Sequence, residues 1–171
     1  KKKKNHSTAW EYSPKGHTTT YQWLNSLRNP CTKTQMFESW MNRCVGSWVS
    51  HRRYLYGKDR TVDNLITKFN TDFTDDGWVV EWGSDRNTGR MELTLDGDML
   101  HRSRGYYNDT PTSSKLEKVD IDTVVFHSAY DGMKFREEIR FIHHDTARLR
   151  QTVGYKDDKL IICGQYFEER L

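Results

Sequence analysis

Cysteine is scarce in this 171-residue chain: Cys31, Cys44 and Cys163 are an odd number with no CxxC spacing. That argues against a disulfide framework or a thiolate zinc site and fits a reducing compartment. No apolar run approaches the ~18 residues that a membrane-crossing helix needs, so a soluble chain with no membrane partner is expected. GxSxG, Walker and dinucleotide-binding fingerprints are missing. His143-His144-Asp145 groups metal-ligand residue types without HxxxH spacing or a carboxylate triad, so no metal site is expected. Acid is nearly absent from the first 35 residues, which hold seven of the 27 Lys/Arg but, in Glu11, one of the 24 Asp/Glu. Residues 36–171 therefore carry 20 basic and 23 acidic residues, and a folded part that is slightly acidic does not suit a nucleic-acid partner.

What is present is aromatic and alternating. Residues 1–35 have no hydrophobic periodicity before Tyr21 and read as a basic, flexible N-terminal extension resembling a transit-peptide remnant. The folded domain is expected over 36–171. Phe37, Trp40, Met41 and Cys44 recur at i, i+3, i+4 and i+7, which predicts a short helix that ends at Gly46 and caps an open end of a sheet. Strand-like runs follow at 47–56, 61–69, 78–83, 90–95, 99–103, 119–128, 133–142, 147–155 and 160–168. Asp96-Gly97, Asp131-Gly132 and Asp157-Asp158 supply hairpin turns, and 104–118 reads as one long loop, a flap at the mouth. Residues 61–69 also fit a helical period, with strand preferred. About ten short strands, short links and one helix describe a mainly β protein, an up-and-down antiparallel barrel.

Two regions could carry chemistry. In Gly46-Ser47-Trp48-Val49-Ser50-His51-Arg52-Arg53-Tyr54, alternation puts Trp48, Ser50, Arg52 and Tyr54 on one face. If Trp48 plugs the barrel floor, Arg52 stands above it, where a buried guanidinium needs an acidic partner. The second region is the hairpin Phe135-Arg136-Glu137-Glu138-Ile139-Arg140-Phe141, a turn, then Arg148-Leu149-Arg150-Gln151-Thr152. With an even pairing register Glu138, Arg140, Arg148, Arg150 and Thr152 share one side, and Phe135, Ile139, Phe141 and Leu149 the other, with Glu137 as the odd member of the apolar side. Either side could face inward, as a wet charged pocket or as an apolar core. Trp82, in strand with Trp78 and Val80, would give a cavity a flat wall.

Gly46-Ser47-Trp48 with Arg52, Leu100 to Gly105-Tyr106, and Arg136-Glu137-Glu138 followed ten residues after Glu138 by Arg148-Leu149-Arg150 resemble, in order and spacing, the S-type phycobiliprotein chromophore lyases. The resemblance covers roughly residues 36–171. It implies a lipocalin-like, fatty-acid-binding-protein-like barrel that holds an open-chain tetrapyrrole, phycoerythrobilin or a relative, non-covalently. The bilin would be delivered to a cysteine of an apo-phycobiliprotein subunit, with no tightly bound cofactor. By the same resemblance Glu138 and Arg148 are the catalytic pair, and Arg52, Tyr54, Trp82 and Arg150 contact the ligand. Glu137 is kept beside Glu138, since alternation allows either one inward. The long basic extension implies a nucleus-encoded plastid protein rather than one of the cyanobacterial cytoplasm, and a homodimer is compatible with the reading. The rivals are a carrier of fatty acid or haem without transferase activity, and an interaction module whose charged hairpin meets a protein partner.

Overall fold

The structure is a computed structural model and describes residues 32–105 and 109–171. The expectation of a flexible extension over 1–35 falls almost wholly outside the described residues. Its last residues do not: helix α1 spans Lys33–Asn42 and starts ahead of residue 36. Thr32 caps it by accepting from the Gln35 backbone N–H, while the Gln35 side chain accepts from the Thr32 N–H. This reciprocal box satisfies two N-terminal donors and fixes the start. Phe37, Trp40 and Met41 are buried, as their spacing predicts.

Ten strands follow: β1 Gly46–Tyr56, β2 Val62–Thr74, β3 Gly77–Gly83, β4 Thr88–Asp96, β5 Met99–Arg102, β6 Thr112–Lys118, β7 Thr123–Tyr130, β8 Met133–Ile142, β9 Ala147–Lys156 and β10 Lys159–Arg170. Each pairs antiparallel with its sequence neighbours, and β1 also pairs with β10, closing an up-and-down barrel. Closure removes the sheet edges. The region 61–69 is strand, the start of β2. One expectation is corrected: 104–118 is not a single loop, because β6 occupies its second half. Its inward positions are Thr112, Ser114 and Leu116, and a hydroxyl-rich TSSKLEK run lacks the apolar alternation that marks a half-buried strand. Asp131-Gly132 and Asp157-Asp158 have positive φ at both central residues, as tight hairpins require.

The apolar core lies where α1 closes one end of the barrel. Trp40 packs against Phe126 and Phe141 with ring centroids 5.9 and 5.2 Å apart, and Trp48 stacks on Phe69. Arg43, at the end of α1, locks the helix down. It donates to Asp145 Oδ2 at 2.9 Å, Asp122 Oδ1 at 2.7 Å and the Ile121 carbonyl at 2.7 Å. Above that floor the barrel is hollow.

Candidate functional site: a charged cavity in the barrel

The cavity has a volume of about 340 Å³, at the lower end of small-molecule sites. Met41, Phe69, Met91, Leu93 and Leu100 give it an apolar side, and arginines from β1, β5 and β9 line the rest.

Strand parity explains the mixture. On β1, Trp48, Ser50, Arg52 and Tyr54 point inward as expected, and Arg52 and Tyr54 reach the cavity wall. Trp48 is fully buried and donates from Nε1 to the Cys44 carbonyl at 2.9 Å. The β8–β9 hairpin departs from the expected register. Ile142 pairs with Ala147, so Glu137 lies opposite Thr152, Ile139 opposite Arg150 and Phe141 opposite Arg148. The inward face of β8 is therefore Phe135, Glu137, Ile139 and Phe141, and that of β9 is Arg148, Arg150 and Thr152. Neither of the two expected surfaces exists: the interior takes the apolar face of one strand and the charged face of the other. Glu138 is corrected to the outer surface, where it pairs with Arg136 at 2.8 Å. Glu137 is the residue inside.

Inside, the charges form a chain. Arg150 Nε donates to Glu137 Oε1 at 2.6 Å, Thr152 Oγ1 donates to the same oxygen at 3.1 Å, and Arg102 lies 3.8 Å from Glu137 Oε2. Arg148 Nε donates to Glu168 Oε2 at 2.5 Å, and Ser50 Oγ donates to Glu168 Oε1 at 2.9 Å. Burial alone would raise both glutamates. For Glu137 the fields of Arg150 and Arg102, and for Glu168 those of Arg148 and Arg150, more than offset it and hold both carboxyls below the usual glutamate range. Cys44 also lines the floor, and burial pushes its thiol up against the opposing pull of Arg148, which keeps it protonated and poorly nucleophilic.

Trp82, on β3, forms a wall, with the Arg104 guanidinium 5.7 Å from its ring centre. It fits there because residue 89 is glycine: a Cβ at Gly89 would lie 2.2 Å from an indole carbon. Tyr54 meets Tyr166 edge-on, with centroids 5.5 Å apart. Of the six side chains singled out from the sequence, Arg52, Tyr54, Trp82, Arg148 and Arg150 thus share one cavity. Sequence reasoning missed Arg102 and Glu168. Both were findable, since each continues the two-residue period of an inward run, Leu100–Arg102 and Ile162–Gly164–Tyr166–Glu168.

Charge surplus distinguishes the site. Among the described residues six arginines line the cavity (Arg52, Arg86, Arg102, Arg104, Arg148 and Arg150), against Asp63 and Glu137, with Glu168 behind Arg148. With Asp109 paired to Arg104, six cations against four carboxylates leave an excess of two. Arg148 and Arg150 are matched by glutamates, Arg86 by Asp63 and Arg104 by Asp109. Arg52 has no carboxylate within ion-pair distance among the described residues. Its Nε donates to Ser50 Oγ at 3.0 Å, and its guanidinium lies 5.6 Å from the Tyr166 ring centre.

Fold and site together define a cavity-bearing, ten-stranded meander barrel with a cationic interior. The chain belongs to the CpeS-like protein family, whose pattern matches residues 84–171. A putative chromophore lyase, CpcV of Picosynechococcus, is 33% identical over 83 residues, which is 48% of this chain and 41% of that protein. The chain thus spans about two fifths of the length of that relative. Among solved structures, the S-type phycobiliprotein lyase CPES from Guillardia theta superposes with a TM-score of 0.59 at 16% identity, covering 79% of this chain and 92% of that one. A Nostoc punctiforme protein of unknown function from the DUF3598 family gives 0.60 at 17%, covering 77% and 48%. At these identities the superpositions speak for the fold.

Proposed function

We propose that the protein is a phycobiliprotein chromophore lyase: it binds an open-chain tetrapyrrole, phycoerythrobilin or a relative, without a covalent bond and passes it to a cysteine of an apo-phycobiliprotein subunit in an algal plastid. One observation carries the reading: an excess of two cationic groups in a cavity that also offers an indole wall and an apolar side. A bilin has two propionate carboxylates and a flat conjugated body. Arginine takes a carboxylate through paired N–H donors, and a flat ring system stacks on indole.

Arg52 is the first propionate anchor, because among the described residues no carboxylate lies within ion-pair distance of it. Trp82 and Tyr54 pack on ring faces. Glu137, held ionised by its arginines, takes the role that resemblance gave to Glu138 and stabilises positive charge on protonated pyrrole nitrogens. In transfer, the acceptor thiolate adds to the bilin ethylidene; a C–S bond forms, the ethylidene π pair moves into the conjugated system, and a proton completes the adduct. Holding the pyrroles protonated lowers the energy of that charge movement, and fixing the chain orients the reacting carbon. The nucleophile belongs to the acceptor, which agrees with a thiol at Cys44 kept protonated by burial.

The test is incubation with bilin and apo-subunit. The proposal expects a shifted bilin absorption followed by a covalent, acid-stable adduct on the acceptor. A shift without an adduct identifies a carrier, and no shift at all refutes bilin binding.

A further inference from the structure

Three buried side-chain polar atoms have no hydrogen-bond partner among the described residues: Thr67 Oγ1, Arg104 Nε and Thr123 Oγ1. Thr123 does not line the cavity, and Arg104 is partly exposed beside Asp109. Thr67 is 1% exposed and lines the cavity. A hydroxyl shut away from water with no partner destabilises a fold, and in a binding cavity the group that relieves it is the ligand.

Register explains why the barrel's own side chains leave Thr67 alone. Its neighbour across the β1–β2 ladder is Ser50. The Ser50 hydroxyl proton goes to Glu168 Oε1, on the β10 side, and its oxygen accepts from Arg52 Nε. On the other flank the β2–β3 ladder ends at the pair Lys68 and Gly83, so no β3 side chain stands opposite Thr67. Along β2 its inward neighbours are Leu65 and Phe69, which offer neither donor nor acceptor.

The same register gives depths. Phe69 and Trp48 form the floor row; Thr67, Ser50 and Glu168 the next; Leu65, Arg52 and Tyr166 the third; Asp63, Tyr54 and Gly164 the fourth, at the rim. At ~3.4 Å per residue, Thr67 lies ~7 Å above Phe69 and ~14 Å below Asp63. Arg52 stands between Thr67 and the rim. A bilin has the same order along its length: a lactam with a carbonyl and an N–H at each end, and propionates on the two central rings.

Resting on the bilin reading, we propose that Thr67 holds the terminal lactam that enters the barrel first, its hydroxyl donating to the lactam carbonyl, and that the ring carrying the reactive ethylidene stands at the rim. Arg52, one row higher, takes a propionate of the central rings. Two features set the direction. Helix α1 closes the floor end, so an acceptor cysteine reaches the pigment from the rim. The Cys44 thiol lines the floor, and an ethylidene buried there would face a sulfur of the lyase itself.

Absorption titrations of the wild type, Thr67→Val and Thr67→Ser with a bilin test the contact. Thr67→Val is expected to bind at least ~5-fold more weakly, because the lactam carbonyl is then buried without its donor. Without ligand it is expected to melt no lower than the wild type, since it removes an unpaired hydroxyl. Thr67→Ser keeps the donor and is expected to keep most of the affinity. Thr67→Cys reads the direction: mass spectrometry of this variant after incubation with bilin alone is expected to show no covalent pigment. Wild-type affinity in Thr67→Val, equal losses in the Val and Ser variants, or a Thr67→Val chain that melts well below the wild type overturns the hydroxyl's role. Pigment attached to the Thr67→Cys chain, by a C–S bond at the ethylidene with the thiol proton passing to the bilin, overturns the orientation. A wild type that binds normally beside either result leaves the bilin reading standing; a wild type that leaves the bilin spectrum unshifted refutes that reading and this inference with it.

Discussion

Glu168→Gln removes one charge from a fully buried position and nearly nothing from the packing. The carboxylate is 0% exposed, and the Arg148 it neutralises is 4% exposed. In the variant the Arg148 guanidinium, 4.5 Å from the Trp48 ring centre and 5.2 Å from that of Phe69, has π faces, the Cys44 thiol and an amide, in place of its buried carboxylate, to offset its desolvation. Breaking a buried pair by removing one partner costs about 3–5 kcal/mol, a large part of the roughly 5–15 kcal/mol that separates folded from unfolded chains. At about 2–4 °C per kcal/mol for a domain of this size, the unfolding midpoint should fall by roughly 6–20 °C. Circular dichroism melts of the wild type and variant measure it, and adding Arg148→Met should recover much of the loss, because the uncompensated charge goes with the side chain. A fall of less than about 3 °C, or no recovery in the double variant, would refute the view that this pair is dry and mutually dependent.

Three further outcomes follow from the same geometry. Gly89→Ala forces the Trp82 indole off its seat, since the new Cβ would overlap the ring; overpacking of about 1–3 kcal/mol and a changed bound-bilin spectrum are expected, whereas unaltered affinity and spectrum would mean that Trp82 is no wall. Arg52→Ala should weaken bilin binding about 10–100-fold, the worth of charge-assisted hydrogen bonds, in an absorption titration, and leave the melting temperature nearly unchanged. Glu137 and Glu168 both have depressed carboxyl values in the fold, so their contribution is complete above the ordinary glutamate pKa of about 4.3 and is lost as pH falls through the depressed values. Urea midpoints should therefore be level from neutral pH down to about 5 and decline below that; a decline beginning near neutrality would contradict the assignment.

The barrel itself was legible because nine of its strands carry alternation, aromatic or β-branched residues and Asp-rich turns. Strand β6 was not, since small hydroxyls at its inward positions give no hydrophobic contrast. The first-strand site was readable from one anchor: a Gly-x-Trp opening fixes which parity faces in, and Arg52 and Tyr54 follow. The late hairpin had no such anchor. Its register depends on the turn over residues 143–146, where His143, His144 and Asp145 all adopt positive φ; this is an unusual path for residues other than glycine, and nothing in their side chains announces it. A one-residue change there moves every partner to the opposite face, so alternation leaves Glu137 and Glu138 both open and only the ten-residue spacing to Arg148 favours Glu138. Glu168 is legible in its parity but disguised by its place in the strand. A carboxylate at the end of an apolar strand reads as a surface residue until the arginine that pairs with it, twenty residues away in sequence, is placed across the strand pair.

Surplus guanidinium charge gripping the acid arms of a linear pigment is the central claim, and comparing a bilin with its dimethyl ester in the same absorption titration tests it most directly. The free diacid should bind at least ~10-fold more tightly than the ester, with the difference shrinking in Arg52→Ala and as salt is raised. Equal affinity of acid and ester, unchanged by Arg52→Ala, would contradict it.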